Sequence, residues 1–398
     1  MKRLVQFILL LIPLYIFRIN VGLYHSPDCQ QVGKGTVNEE VLAQLHFLKD
    51  ELHHNDAGRR MQKFFPEGFV FINALYGLSW CEIAKDFDPK TDLYQEALNE
   101  IDFAIRQIDS DYGKRIFTKD LAIEYGAFYQ GWRTYLQGKR LEISVKKDPK
   151  LVQDFKYGCE RIKKGFESTN RPYLRSFHYG TWPADHIGCI AALAVHDKIF
   201  NADYQILIRN RVDLMKENLD PMTGLIPHEY MDGNDFRLEA RGSSQSLILS
   251  HLYEINPNLG QEYFTLYKEH FLEYRLGLPG IREYRKGVDK NGDVDSGPVI
   301  WKIGGAASVV GVRTLGLYGE TTAYKGMRNS LQGFGCGFRF FGKKRYIFGA
   351  LPMADAFIAW SNSVNCRVSQ DADTWWRFQF QILSLLLGGF IVYLVWKL

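Results

Sequence analysis

The stretch from Trp182 to Ile199 reads WPADHIGCIAALAVHDKI. Its larger apolar residues recur at three- and four-residue steps, and Gly188, Ala191, Ala192 and Ala194 place small residues between them. A helix that is apolar on one stripe and small beside it can be packed by neighbours on two sides. We therefore predict a buried helix here, of the kind that forms the inner wall of a helical ring.

Helical periodicity continues along most of the chain on both sides of this stretch. Similar patterns occur at 39–52, 68–85, 92–109, 119–138, 150–166, 203–218, 241–254, 259–275, 300–318, 321–333 and 350–362. Asp-Pro and Asn-Pro pairs separate several of them, as is typical of turns and helix starts. Antiparallel helices of this kind build either an open solenoid or a closed ring. We find no fixed repeat period, which favours the ring. The prediction is an all-α domain over residues 25–370.

Composition narrows the class of protein. The chain has 398 residues with 49 Lys and Arg against 45 Asp and Glu, so the net charge is only +4. A charge this small gives no nucleic-acid footprint. The sequence contains no G-x-G-x-x-G, Walker or G-x-S-x-G motif, so it lacks the motifs that usually indicate a nucleotide-binding protein or an α/β-hydrolase. Aromatic residues are frequent at 14%.

Both ends of the chain are apolar. Lys2 and Arg3 precede an apolar run over 4–17, typical of an export signal, and no small-x-small cleavage site follows. We predict an uncleaved signal anchor over residues 1–24, with a cleaved signal peptide as the alternative. The stretch 378–396 carries no charge and has Trp at both edges, which predicts a transmembrane helix over 375–397. The expected partner of both ends is a lipid bilayer.

The predicted location of the central domain is outside the cytoplasm. The charges near the two apolar segments point in both directions, but a domain of this length crosses largely regardless of charge. We predict an extracytoplasmic protein, on the periplasmic face of the inner membrane if the source is a bacterium.

The cysteines and histidines give no metal or cofactor signal. The six cysteines are scattered, with no C-x-x-C pair, and the ten histidines show no ligand spacing. We predict no metal and no cofactor. A disulfide between Cys336 and Cys366 is left open.

A family resemblance rests on five motifs. They are WPADH at 182–186, DPMTGLIPHE at 220–229, ARGSSQS at 240–246, GIREY at 280–284 and DVDSGP at 293–298. Together they resemble a group of membrane-anchored (α/α)6-toroid proteins related to six-hairpin glycosidases and to linalool dehydratase-isomerase-like domains. The resemblance covers roughly residues 60–335. It implies one toroid with a cleft at one end, lined by long loops. It implies no substrate, because this fold hosts hydrolases, lyases and isomerases.

Two carboxylates in these motifs are the candidate catalytic pair. Asp185 lies in the first turn of a predicted helix, and Asp295 precedes an apolar, Gly-rich one. Glycoside hydrolysis uses one carboxyl to protonate the leaving oxygen and another to activate water or attack. Glu229 and Glu283 are further candidates for these roles. The alternative for Asp185 is a structural one, in which it complements the helix dipole.

Residues around the pair are candidates for substrate binding. Arg241 at a helix start favours an anionic group such as a uronate, phosphate or sulfate. The other candidates lie in the same motifs or in an aromatic cluster: Trp182, His186, His228, Arg282, Glu283, Tyr284 and Tyr125.

These patterns favour one function over two alternatives. The favoured function is carboxylate acid–base hydrolysis or elimination on a glycan or glycolipid. The first alternative is a dehydratase or isomerase of a hydrophobic, isoprenoid-like alcohol, in which Cys159 or Cys189 and Tyr residues move protons. The second is a non-catalytic scaffold of the cell envelope.

Overall fold

The computed structural model describes residues 2–32, 35–231, 236–294, 296–364 and 373–398. Asp295 of the predicted catalytic pair lies outside these residues. The helices are α1 Lys2–Gly22, α2 Glu39–His53, α3 Ala57–Phe64, α4 Gly68–Ala84, α5 Asp92–Asp109, α6 Asp111–Lys114, α7 Gly126–Ile143, α8 Pro149–Glu167, α9 Pro183–Ile199, α10 Gln205–Lys216, α11 Gly242–Ile255, α12 Pro257–Phe271, α13 Gly305–Leu317, α14 Thr321–Phe334, α15 Pro352–Asn362 and α16 Phe378–Lys397.

The described strands form antiparallel hairpins of two strands each. Their bounds are β1 Cys29–Val32 with β2 Gly35–Asn38, β3 Glu229–Met231 with β4 Phe236–Leu238, β5 Leu272–Arg275 with β6 Leu278–Ile281, β7 Val299–Ile300 with β8 Ile303–Gly304, and β9 Phe338–Phe340 with β10 Lys343–Arg345.

Six helices form a closed inner ring. Helices α4, α7, α9, α11, α13 and α15 pack in that order, and α15 packs back on α4. The helices α2, α5, α8, α10, α12 and α14 lie between them in the chain, and each packs on an inner helix to form the outer layer. The toroid of helical hairpins expected from the sequence is therefore present, and the 182–199 stretch is an inner helix.

Neighbouring inner helices run in the same direction. Gly131 and Gly138 of α7 lie against Asp185 and Val195 of α9, respectively. Along α11 and α13, the Ser246 hydroxyl donates to the Ala307 carbonyl. Ser250, four residues after Ser246 in α11, contacts Thr314, seven residues after Ala307 in α13.

The other pairs of inner helices are parallel as well. Phe71 and Gly77 of α4 lie against Phe128 and Leu136 of α7. Trp132 and Lys139 of α7 contact His251 and Glu254 of α11. Arg313 of α13 donates to the Trp360 carbonyl of α15, and Gly316 lies against Val364, just after α15. All six inner helices therefore begin at one end of the ring, which we call the loop end because the β3–β4, β5–β6, β7–β8 and β9–β10 hairpins precede inner helices there.

Aromatic side chains fill the centre of the ring. Phe71 of α4 contacts Trp132 of α7 and Phe357 of α15, with ring centroids 4.9 and 5.0 Å apart. Trp132 also reaches Trp360 of α15 and His251 of α11, which are not its neighbours around the ring. Part of the aromatic excess of the sequence is therefore central packing, which stabilises the ring through buried area and edge-to-face contacts.

The helix starts follow the turn chemistry of the sequence. Asp148 accepts a hydrogen bond from the Lys150 N–H with Pro149 in the first turn of α8, and Asn256 caps α12 in the same way with Pro257. A proline costs nothing at this position because its missing N–H would have no helical partner. These two predicted starts are confirmed.

The hairpins are the main difference from the predicted all-α fold. The pattern over 259–275 is helical only to Phe271 and then becomes β5, and the pattern over 300–318 begins as a helix only at Gly305, after β7 and β8. The chain is thus mainly helical with short β-hairpins. Apolar residues in a short strand and in a helix give similar local patterns, so periodicity alone does not separate them.

The terminal helices pair with one another. Lys2–Gly22 and Trp375–Lys397 have mean hydropathies of 2.0 and 1.9 and, by length and composition, are able to cross a membrane. Gln6 of α1 donates to the Val395 carbonyl of α16 at 3.1 Å, and Gln381 of α16 donates to the Tyr24 hydroxyl at 2.6 Å. The two helices are therefore antiparallel.

One disulfide alternative is excluded. Cys81, Cys159, Cys189 and Cys336 are free thiols, whereas Cys29 is disulfide-bonded. The pairing of Cys336 with Cys366 that the sequence left open is therefore not formed.

Candidate functional site at the loop end

Glu283 is the most distinctive ionisable group at the loop end. It follows β6, is fully buried, and accepts a hydrogen bond at Oε1 from Ser243 Oγ at 2.8 Å. Its Oε2 is buried without a hydrogen-bond partner among the described residues. Burial raises the pKa of Glu283 to about 7, although the Ser243 hydroxyl and the charge of Arg241 act to lower it. The carboxyl is therefore poised between its acid and base forms near neutral pH.

The sequence explains why Glu283 comes so close to two helix starts. The Gly242 N–H at the start of α11 donates to the Glu283 carbonyl, and a Cβ at Gly242 would lie 1.9 Å from the Arg282 carbonyl oxygen. A Cβ on Gly304, which caps α13, would lie 3.1 Å from Glu283 Oε2. Glycine at both positions lets the backbone approach closely.

Arg241 brings a second carboxylate, Asp293, close to Glu283. We call Arg241, Glu283, Asp293 and Tyr284 the Arg241 wall. Arg241 Nη1 contacts Asp293 Oδ2 at 2.5 Å, and the Arg241 guanidinium lies 5.2 Å from the centre of the Tyr284 ring. Burial acts to raise the pKa of Asp293, but the Ser296 N–H and the Arg241 charge outweigh it, so the pKa of Asp293 is lowered. Asp293 is thus ionised at pH values at which Glu283 still retains a proton.

His228 and Glu229 lie where β3 begins. His228 is buried and its Nδ1 is hydrogen-bonded to the hydroxyl of Ser244 in the first turn of α11. Glu229 is half-buried and pairs with Leu238 across the hairpin. His228 contributes to lowering the pKa of Asp293, so it belongs electrostatically to the Arg241 wall.

Asp185 and Trp182 lie on the adjacent inner helix. Asp185 is in the first turn of α9, as predicted, and is buried. Trp182 immediately precedes that helix, is half-buried, and packs edge-on against Phe177. The Tyr230 N–H of β3 donates to the Thr181 carbonyl, which ties this loop to the hairpin that carries His228. Asp185 and the Arg241 wall therefore belong to one end of the ring.

Three other predicted substrate-binding residues, His186, Arg282 and Tyr125, are engaged in local structure. His186 is fully buried, accepts from the Leu174 N–H, and has a pKa lowered by burial to about 3. Arg282 is buried and donates to Glu273 and to the Tyr284 and Val288 carbonyls. Tyr125 opens α7 with a left-handed φ of 70°. His186 and Arg282 therefore hold the surrounding loops in place through contacts with other protein groups, and neither takes part in the proposed chemistry.

Sequence reasoning did not nominate Asp293, Ser243 or Ser244 as site residues, although all three lie in quoted motifs. In the sequence, Asp293 precedes the Ser296-Gly297 turn, and the two serines follow Arg241-Gly242, which is typical of turn and capping residues. What identifies them is the approach of β6 to α11, which no local pattern contains.

Another buried carboxyl helps to judge Glu283. Burial also raises the pKa of Asp355 to about 7. Asp355 Oδ1 accepts from the Tyr346 N–H and from Gln44 Nε2 at the start of α15, and its Oδ2, like Oε2 of Glu283, is buried without a hydrogen-bond partner among the described residues. Asp355 therefore shares the burial and the raised pKa of Glu283 without the Arg241–Asp293 ion pair, which makes it a matched control.

Two cavities lie apart from Glu283 and Arg241. One of about 580 Å³ is lined by the C-terminal ends of α9 and α11 with α10, away from the loop end, and one of about 180 Å³ lies between α3, α4 and α5. In the part of the chain that the structure describes, no group of three or more His, Cys, Asp or Glu could hold a metal ion.

Comparisons with known proteins find similarity to solved structures and to no family model or curated protein. No protein-family model matches the chain, and a search of curated proteins finds no match. Among solved structures, the chain is similar to a crystal structure of an unsaturated glucuronyl hydrolase specific for heparin, with a TM-score of 0.47 and 9% sequence identity. That similarity covers 88% of this chain and 94% of the other. The helical ring described above rests on this chain's own contacts.

Proposed function

We propose that the protein is a membrane-anchored, extracytoplasmic enzyme that hydrolyses or eliminates at a glycosidic bond of a glycan or glycolipid. Glu283 is the proton donor, and a second carboxylate at the loop end acts as the base. The observation that carries this proposal is the placement of Glu283: a buried carboxyl with a pKa of about 7 lies beside the ion pair of Arg241 with Asp293.

The two carboxyl groups near Arg241 differ in the way that acid–base catalysis requires. Burial keeps Glu283 protonated up to neutral pH, while Arg241 and the Ser296 N–H hold Asp293 ionised. A carboxyl group that its surroundings keep protonated near neutral pH is suited to the acid role. General acid catalysis of this kind contributes about 10²- to 10⁴-fold in rate.

The proposed base is one of three carboxylates. Asp185 is a candidate because it lies in the first turn of the neighbouring inner helix, and Asp295 and Glu229 are candidates from their sequence positions. Asp293 is already paired with Arg241, which suits it to holding that guanidinium in place. Arg241 would then bind an acidic sugar substituent, with Tyr284 and Trp182 as stacking surfaces.

The membrane and the compartment are supported by other features. The helices α1 and α16 are long and apolar enough for a bilayer. Cys29 is disulfide-bonded, and disulfides persist in oxidising compartments outside the cytoplasm. Both features favour a central domain that is displayed outside the cytoplasm.

The isomerase alternative has weaker support. Burial raises the pKa of Cys159 and raises that of Cys189 well above the usual range, so both thiols stay protonated. Cys189 also donates to the Ala127 carbonyl inside the ring wall. A protonated, enclosed thiol is a poor base or nucleophile.

The test is a turnover assay on the full-length protein in detergent micelles. Envelope glycans and glycolipids are the substrates. New reducing ends report cleavage by either route, and absorbance of a new carbon–carbon double bond reports elimination. We expect Glu283→Gln and Asp185→Asn to lose at least 100-fold, and Asp355→Asn to stay within a few-fold if the protein remains folded. Full activity of Glu283→Gln would refute the assigned acid, and no turnover of any substrate would favour the scaffold.

A further inference from the structure

The direction in which the terminal helices leave the ring can be read from α14. Gly311 and Gly316 of α13 lie against Met327 and Tyr324 of α14, so α14 runs opposite to the inner helices. The C-terminal end of α14, at Phe334, is therefore at the loop end.

Helix α1 runs antiparallel to α14. Ile19 and Gly22 lie against Gly333, and just after α1 the Leu23 carbonyl accepts from Asn329 Nδ2 at 2.8 Å. The Tyr15 hydroxyl reaches the carbonyl of Phe334, the last residue of α14. Residues of α1 before Tyr15 must then extend beyond the loop end. Because α16 is antiparallel to α1 and lies beside it, both apolar helices leave the ring on the side that carries Glu283 and Arg241.

The loop end also carries a rim of exposed aromatic residues. Phe64 precedes α4, Tyr179 precedes α9, Trp301 precedes α13, and Phe341 and Phe348 precede α15. We call these five residues the aromatic rim. Phe341 is 88% exposed and Trp301 is 67% exposed. Aromatic side chains of this size are usually buried, so a set of them around one end indicates an interaction surface.

The backbone at the rim tips supports this reading. Phe341 and Trp301 occupy the first turn positions of the β9–β10 and β7–β8 hairpins, with φ of 46° and 49°. Two-residue hairpin turns with positive φ normally use Asn, Asp or Gly, and a bulky residue there is strained. The neighbouring Arg339 is exposed, which complements anionic headgroups, whereas the exposed Lys302 pairs with Asp289.

We propose that the loop end rests on the bilayer entered by α1 and α16, with the aromatic rim in the headgroup region, so that the site takes the headgroup of a membrane-borne glycolipid. This inference rests on the membrane anchoring in the proposed function and narrows its substrate class to lipid-linked glycans. Trp and Tyr side chains favour the membrane interface because one part of the ring is apolar and another is polar.

The experiment measures immersion in the full-length protein, reconstituted in vesicles of phosphatidylcholine and phosphatidylglycerol with nitroxide-labelled lipids. In a Cys336→Ser background, a fluorophore is attached to Phe341→Cys, to Ile206→Cys or to Leu385→Cys. Ile206 is a matched exposed apolar residue beside the opposite end of the ring, and Leu385 lies in the middle of α16. We expect quenching at 341 and 385 and little at 206.

Other quenching results would contradict either the proposed orientation of the loop end or the membrane anchoring itself. Quenching at 385 with equal, low quenching at 341 and 206 would overturn the inference and leave the anchoring intact. No quenching at 385 would overturn both. Protection of position 341 by a second copy of the chain, seen as a dimer in solution with no quenching at 341, would also overturn the inference.

A turnover assay separates this inference from the proposed chemistry. The same glycan is supplied on a lipid in vesicles and as its water-soluble, delipidated form. We expect the double variant Phe341→Ser with Trp301→Ser to lose at least tenfold on the lipid-linked form alone, while Ile206→Ser loses on neither. Equal loss on both forms would contradict the inference. Turnover of neither form by the unaltered protein would count against the proposed function, and the quenching result would still decide the orientation.

Discussion

Ser243 Oγ donates to Glu283 Oε1 at 2.8 Å, and Oε2 of the same carboxyl is enclosed without a partner among the described residues. One oxygen is therefore held in place while the other retains its hydrogen-bonding capacity. A buried polar atom that is not satisfied costs about 1–3 kcal/mol. Oδ2 of Asp355 is enclosed in the same way, so what sets Glu283 apart is the Arg241–Asp293 ion pair beside it. In the proposed reaction Oε2 donates its proton to the substrate.

Replacing Glu283 by Gln should stabilise the protein above neutral pH. The pKa of Glu283 is about 7 in the folded chain against 4.5 for an ordinary Glu, so its ionisation destabilises the fold as pH rises from about 4.5 through 7. Glu283→Gln removes this effect. We expect a gain that is absent near pH 4.5 and approaches about 3 kcal/mol above pH 8, measured by chemical denaturation at each pH. Glu262→Gln, on the exposed face of α12, should show no such trend.

Removing the charge of Arg241 should move the pH profile of activity. Burial raises the pKa of Glu283, and the nearby guanidinium of Arg241 opposes that rise. Arg241→Gln should therefore raise this pKa further and shift the alkaline limb of kcat/KM to higher pH. Arg285→Gln is the control because Arg285 pairs with Glu239 instead. An unshifted limb in Arg241→Gln would show that Glu283 does not control the alkaline limb.

Much of the ring was predictable because packing of inner helices leaves a local record. Glycine and alanine at helical spacing in α9 are needed for contact with α7, and Gly131 and Gly138 show the same requirement from the other side. Helix starts were predictable at Asp148-Pro149 and Asn256-Pro257 because capping involves only adjacent residues.

The wall around Glu283 was not predictable because its contacts join residues far apart in the chain. The Ser243–Glu283 hydrogen bond joins residues 40 positions apart, and the Arg241–Asp293 pair joins residues 52 positions apart. The motifs correctly collected Arg241 and Glu283 as candidates. Their relative placement depends on β6 crossing the start of α11, which is a tertiary feature. The assignment of His186 to substrate binding stays a prediction, although its burial among Phe166 and Tyr173 favours a packing role.

Lys139 should matter more for stability than Lys198, although both pair with Glu142. Lys139 is 4% exposed and also contacts Glu254 at 2.6 Å, whereas Lys198 lies at the surface. Breaking a buried ion pair leaves an uncompensated charge and costs about 3–5 kcal/mol, whereas an exposed pair is worth at most about 1 kcal/mol. We expect Lys139→Met to lower the free energy of unfolding by about 3 kcal/mol and Lys198→Met to lower it by less than 1. Equal effects would show that the Lys139 pairs are not isolated from water.

A methyl group on Gly22 should loosen the terminal helices from the ring. A Cβ at Gly22 would lie 2.6 Å from the Gly333 Cα, so α1 and α14 would have to separate, whereas a Cβ at Gly389 in α16 meets nothing within 4 Å. Overpacking of a close contact costs about 1–3 kcal/mol. We expect Gly22→Ala to lower the unfolding temperature in detergent micelles and to speed proteolysis between α1 and α2, while Gly389→Ala leaves both unchanged. Because the Leu23 carbonyl also accepts from Asn329 and Arg377, the same variant should increase exchange of the Asn329 side chain. An unfolding temperature of Gly22→Ala equal to that of Gly389→Ala would mean that α1 does not dock on α14, and the direction in which α1 leaves the ring would lose its support.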